Sequence, residues 1–264
     1  MNYSIFVIKI RYRPCIARQK QFYFLFFWEI NQEVLSYICT MLSLSKIKAL
    51  FLVAFFLIAS NGFSQHKKYE DAMKHTVAAL DSAKGSGEYK KVASGFEQIA
   101  EQEKNEWLPY YYSGICYVLV ALEQKGKDTD TWCNKAEYFS KKADSLSENN
   151  SEVKVLKSMI TAARISVHKA QRGQKYGAMA LKLAEEAIKL NPKNPRAYLQ
   201  KATIVYHTPE VIGGGSKKAK PHAELAVEKF IAYKKESFIF PHWGKARAEK
   251  LLKQCYAPAE TPKK

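Results

Sequence analysis

The stretch AMALKLAEEAIKLNPKNPRAYLQKATIVY, residues 178–206, reads as two helices and the turn between them. Ala180 and Ala187 stand seven residues apart, two helical turns, and so share one face. Asn191-Pro192 ends that helix, because proline has no N–H to donate and its ring clashes with the preceding turn. After Asn194 the helical spacing resumes with Tyr198, Ala202 and Val205.

The pattern recurs along the chain. Ala93/Ala100 and Ala136/Ala143 repeat the alanine pair, and successive starts lie 43 and 44 residues apart. One further step of 43 reaches Ala223/Phe230, whose second member has changed. A second series, Gly114, Ser158, Ala202 and Ala246, puts a small residue every 44 positions on the alternate helices. Short side chains at fixed intervals let neighbouring helices approach and interdigitate, which is how stacked hairpins build one continuous core. Helical spacing covers 106–124, 131–147, 151–168, 174–190, 195–207, 217–235 and 242–255. Gly126, Asn149-Asn150, Arg172-Gly173, Asn191-Pro192 and Gly213-Gly214-Gly215 interrupt it. Lys68–Ser82 and Glu88–Glu103 add a first hairpin around the turn Ala83–Gly87. No segment alternates with period two, so a sheet is not expected.

Ala180, Ala187 and Pro192, followed by Asn194, Tyr198, Ala202 and Val205, resemble the tetratricopeptide repeat. Tyr110-Gly114-Tyr117 matches its first helix, helix A, while Glu148 stands where that family has proline. The likeness covers roughly residues 93–256. The resemblance implies an all-α fold, a right-handed stack of antiparallel helical hairpins forming a tetratricopeptide-like α-solenoid. The period departs from the family's ~34 residues, and the extra residues fall into long A–B connections. HEAT-like repeats of ~40–47 residues fit the period better and the residue pattern worse. Residues 107–111 (WLPYY), with the later RGQKYG and TPE-to-GGG segments, also resemble uncharacterised exported bacterial tetratricopeptide proteins.

Residues 41–64 read as a signal peptide: Lys46 and Lys48, then the apolar run Ala49–Ala59, then Gly62 and Ser64 as small residues before a cleavage point. The run has 11 residues, about 16 Å of helix, against a hydrocarbon core of about 30 Å. An uncleaved anchor in the inner membrane is the alternative. Residues 1–40 are read as a mis-annotated N-terminal extension before a true start at Met41, residues 65–256 as the helical-repeat domain, and 257–264 as a disordered tail. Export to the periplasm or cell envelope follows.

Of 42 Lys+Arg and 25 Asp+Glu, seven and two precede residue 65, so the remainder carries a net charge of +12. That balance favours anionic partners, and export makes nucleic acid the least expected of them. Cys116, Cys133 and Cys255 form no CxxC, so neither a metal site nor a disulfide framework is expected. Cys116 and Cys133 fall on neighbouring helices, where they could pair or pack as buried thiols. The six histidines make no ligand pair at helical spacing, and neither HExxH nor GxSxG occurs. Gly213–Lys218 lacks the GxxxxGK[ST] spacing of a phosphate loop. The expectation is a binding scaffold with no cofactor, and not an enzyme.

Two surfaces are candidates. The resemblance implies a groove lined by the A helices, here Leu108, Tyr111, Ile115, Val118, Val155, Met159, Leu199 and Tyr206, open to an apolar or amphipathic segment of a protein partner; the alternative is that the chain's own helix Lys68–Ser82, with Met73, Val77 and Leu80 at helical spacing, folds back to fill it. The family's carboxylate-clamp residues are not matched. The A–B connections 125–130, 169–174 and 208–216 gather a basic edge of Arg172, Lys175, Lys217, Lys218 and Lys220, suited to an anionic lipid or glycan of the envelope. Expressed from Met41 in a bacterium, the exported protein is expected to begin at Gln65 or within a few residues of it. N-terminal sequencing checks this, and a mature product that retains residues 1–40 overturns it.

Overall fold

Periodic small residues produce a stack of helices. A computed structural model describes residues 66–257 apart from Lys125 and Lys127. The expected extension, signal segment and terminal residues 258–264 lie outside the described residues. The described residues form nine α-helices and no strand. They are α1 (66–82), α2 (Ser86–Gln102), α3 (Trp107–Gln124), α4 (Thr129–Leu146), α5 (Ser151–Ala163), α6 (Lys169–Leu190), α7 (Pro195–His207), α8 (Ser216–Ala232) and α9 (Lys245–Tyr256). From α2 onward each helix packs on the next, and the alternate helices α3, α5, α7 and α9 touch in series. This is the all-α helical-repeat architecture expected from the spacing.

The small residues sit at the crossings. A Cβ on Gly114 would lie 2.7 Å from Leu156 Cδ2, so α3 and α5 approach closely there and any larger residue would force Leu156 to shift. The Ser158 hydroxyl is fully buried and donates to the Ala180 carbonyl at 2.7 Å. Ala93, Ala136, Ala143, Ala180, Ala187 and Ala202 are all fully buried. The helix starts repeat as well. Asn150 and Asn194 each extend a side-chain oxygen to the N–H two residues on, Glu152 at 2.8 Å and Arg196 at 3.0 Å. Each thereby satisfies a donor that the helix itself cannot. Pro195 follows at the first helical position, where a missing N–H costs nothing.

Two segments differ from the sequence reading. The connection expected at 169–174 is helical, because α6 begins at Lys169 and Gly173 is absorbed into it. A short 3-10 turn, Arg164–Val167, replaces that loop. The Arg172 guanidinium holds the helix start in place, donating to Asp130 at 2.7 and 2.9 Å and to the Arg164 carbonyl at 3.3 Å. At the other end of the chain α9 begins three residues later than the spacing predicts. Ala246 is therefore exposed, and Ala248 takes the buried place.

Cys116, Cys133 and Cys255 are free thiols, all buried. Burial raises the thiol pKa of Cys133 to about 11, so these residues pack as small apolar groups. Ala202→Leu is expected to overpack the α7 crossing and cost about 1–3 kcal/mol. Exposed Lys182→Ala should stay within about 0.5 kcal/mol. Thermal unfolding of the two variants compares them, and equal effects overturn this register.

Candidate functional site

Residues one repeat apart meet in the stack. Glu152 and Arg196, 44 positions apart, each occupy the second residue of their helices, α5 and α7. Arg196 is 2% exposed and places Nε 2.9 Å from both Glu152 carboxylate oxygens and Nη2 2.7 Å from Oε1. Burial alone would depress the guanidinium pKa; the Glu152 carboxylate more than reverses this, and it ends above its ordinary value. The Tyr111 hydroxyl donates to Glu152 at 3.2 Å and accepts from the Trp243 indole N–H at 3.0 Å. Arg196 also lies 4.6 Å from the Tyr233 ring centroid and 5.9 Å from that of Trp243. One buried polar network thus ties α3, α5 and α7 to the α8–α9 connection.

That connection, Tyr233–Gly244, carries no regular element. Repeat spacing would start the fourth A helix near residue 239, one period beyond Ser151 and Pro195. Pro241 disfavours helix in the residue before it, and the chain instead folds inward as a strap. The Tyr112 hydroxyl donates to the Ile239 carbonyl at 3.0 Å and that of Tyr233 to the Pro241 carbonyl at 2.8 Å. Phe240 packs edge-on to Trp107, with centroids 6.3 Å apart. His242 sets Nδ1 2.9 Å from the Phe240 carbonyl and Nε2 2.9 Å from Asp81 Oδ2 of α1. Gly244, at φ 109°, ends the strap against Phe230, where a Cβ would fall 2.7 Å from Cζ.

The strap closes the groove expected along the A helices. Leu108, Tyr111, Ile115, Val118, Val155, Met159 and Leu199 are at most 5% exposed, and Tyr206 is half-buried. They do not form one row. The first six belong to a core with α1, α2 and Ile239, while Leu199 and Tyr206 join a second core around α8 and α9. The expectation of an open groove is therefore corrected. Met73 and Val77 of α1, together with Ile239, Phe240 and Trp243 of the strap, pack into the same core as the α3 side chains.

Between these two covers a cavity of about 220 Å³ remains. Val77 and Leu80 of α1, Ile115 and Leu119 of α3, Met159 of α5 and Trp243 of the strap give it apolar walls. Tyr89, Tyr112, Asp81, His242 and Arg247 add polar groups. Burial, with the Glu152 carboxylate behind it, pushes the Tyr112 phenol well above its ordinary pKa. Burial, with the field of Glu123, also raises Tyr89. Of the expected groove residues only Ile115 and Met159 reach this cavity.

The basic edge is reduced. Arg172 is committed to Asp130, and Lys220 sets Nζ 4.0 Å above the Tyr256 ring. Lys175, Lys217 and Lys218 are exposed, and among the described residues they make no ion pair. Beside Lys217 and Lys218 the turn Pro209–Gly215 presents Val211, 93% exposed, and Ile212, 61% exposed. No cluster of potential metal ligands occurs among the described residues, and no described helix is long and apolar enough to cross a membrane.

No protein-family model matches the chain, and no curated protein does. Among solved structures it is similar to the HusA haemophore from Porphyromonas gingivalis, with 37% sequence identity and a TM-score of 0.67. The likeness covers 73% of this chain and 95% of that one. The chain belongs to the HusA haemophore family. In this HusA relative, sequence reasoning missed the contributions of α1, the strap and Arg247 to the cavity. The available signal was FPHWG, residues 240–244, with proline and glycine where the repeat calls for the start of a helix. Glu152→Ala strands the Arg196 cation in the interior and is expected to cost about 3–5 kcal/mol. Chemical denaturation checks this, and a loss below about 1 kcal/mol would remove the network from its structural role.

Proposed function

We propose that the chain is an exported haemophore-type binding protein, not an enzyme, which holds a haem-class tetrapyrrole in the cavity between α1, α3, α5 and the strap. One observation carries the reading. An apolar, aromatic-lined cavity with a few polar groups among its lining lies in a chain 37% identical to a haemophore over nearly all of that chain's length. Such a lining is the usual make-up of a small-molecule site. The signal segment at 41–64 supplies the export this reading needs, and the tetratricopeptide-like alanine and asparagine series supplies its rigid frame.

The cavity volume of about 220 Å³ lies below the roughly 300–1,000 Å³ of small-molecule pockets. Entry of a macrocycle therefore requires the strap to move. Residues 239–243 form no helix and are held to α1 and α3 by side-chain hydrogen bonds, so they can shift without unwinding the stack. Retention rests on apolar contact and stacking against Trp243 and Tyr112. Both ring nitrogens of His242 already face acceptors. Burial disfavours the Tyr89 and Tyr112 phenolates that would ligate iron. The thioether of Met159 remains as a soft contact.

Titration of the purified chain, residues 65–264, with haem should shift and sharpen the main porphyrin absorption band. Leu119→Trp places an indole in the cavity and should weaken binding at least about tenfold, the loss of roughly 1.4 kcal/mol, without lowering the melting temperature. An unaltered spectrum on haem addition, or full affinity in the filled variant, overturns the reading.

A further inference from the structure

Most polar groups around the cavity are already occupied. Asp81 and His242 face each other at 2.9 Å, and the Tyr112 hydroxyl is committed to the Ile239 carbonyl. Arg247 differs. It projects from the first turn of α9, three residues beyond Gly244, whose positive φ carries the backbone in against Phe230. The residue is exposed at the rim yet lines the cavity. Surrounding protein depresses its guanidinium pKa, and the nearby Tyr89 partly offsets this. Among the described residues its side chain has no ion pair and no hydrogen bond.

An arginine beside an apolar cavity with no carboxylate of its own is a receptor awaiting one. Its planar fork matches a carboxylate with two parallel hydrogen bonds, and partial removal from water strengthens each. We infer that Arg247 binds a carboxylate of the ligand at the cavity mouth, so that the site selects amphipathic acids over neutral apolar molecules of the same shape. This rests on the tetrapyrrole reading, in which the acid is a propionate side chain of the macrocycle. Asp81, 47% exposed and also lining the cavity, adds a negative charge that disfavours an acid beside it and leaves Arg247 as the favoured contact.

The test compares mesoporphyrin with its dimethyl ester on the purified chain, followed by quenching of tryptophan fluorescence. The acid is expected to bind about tenfold or more tighter than the ester. Arg247→Gln should remove that preference by weakening the acid and leaving the ester unchanged, and Arg247→Lys should fall between. Among the described residues Arg247 has no hydrogen-bond or ion-pair partner, so circular dichroism and melting temperature should match the parent in both variants. Equal effects on acid and ester, or no preference in the parent, overturn the inference. If neither porphyrin binds, the tetrapyrrole reading fails alone, and cis-parinaric acid against its methyl ester then decides Arg247. An Arg247-dependent preference for that acid upholds the inference, and its absence overturns it.

Discussion

The buried pair of Glu152 and Arg196 is the constraint on which the rest of the stack depends. A guanidinium 2% exposed has no water to fall back on, so the helices that carry the two charges must meet in one register. The pair adds little net stability compared with an apolar packing of the same shape, but every slipped arrangement strands a charge. The Tyr111 hydroxyl reads the position of Glu152 and passes it to Trp243. Trp243 packs against both hydrophobic cores. The strap is thus placed by the same interaction that aligns α5 and α7.

The cavity follows from how the groove is covered. α1 packs on α3 and is tied to the strap by Asp81 and His242 near its end. The strap also packs on α3, tied through Ile239 and Trp243 to its tyrosines. Two covers fixed at a few points do not fill the space between them as interdigitating helices do. The remaining walls are side chains from α1, α2, α3, α5 and the strap, and the cation at the mouth comes from α9. A site of this kind has rigid walls on α3 and α5 and a movable one on the strap.

Much of the fold could be read from the residues. Ala180, Ala187, Pro192 and Ala202 mark crossings and a helix end through local rules that need no knowledge of distant contacts, and they lie where their spacing placed them. The candidate site was less legible. Tyr111 and Val155 carry the apolar pattern of a helix face, but the pattern is the same whether that face meets a partner or the chain itself. What covers them comes from residues 239–243, about 130 positions from Tyr111, and no periodic signal links the two. The start of α6 was misplaced because Gly173 breaks helices in isolation, whereas here Arg172 anchors the turn to Asp130 on α4. Arg247 falls in a run of charged residues on α9, and only the fold separates it from its neighbours.

The loss of the first turns of the fourth A helix also bears on how such arrays grow. Helical repeats lengthen by duplication, each new hairpin docking on the exposed A and B faces of the last. Here the sequence that would present such a face is turned back into the groove, sealed by Pro241 and by a glycine that admits no side chain. A further hairpin appended after α8 would have to dispossess the strap, and with it the Trp243 contact and the cavity roof. At this point of the stack, the strap rather than a docking face is what the chain offers to a following hairpin.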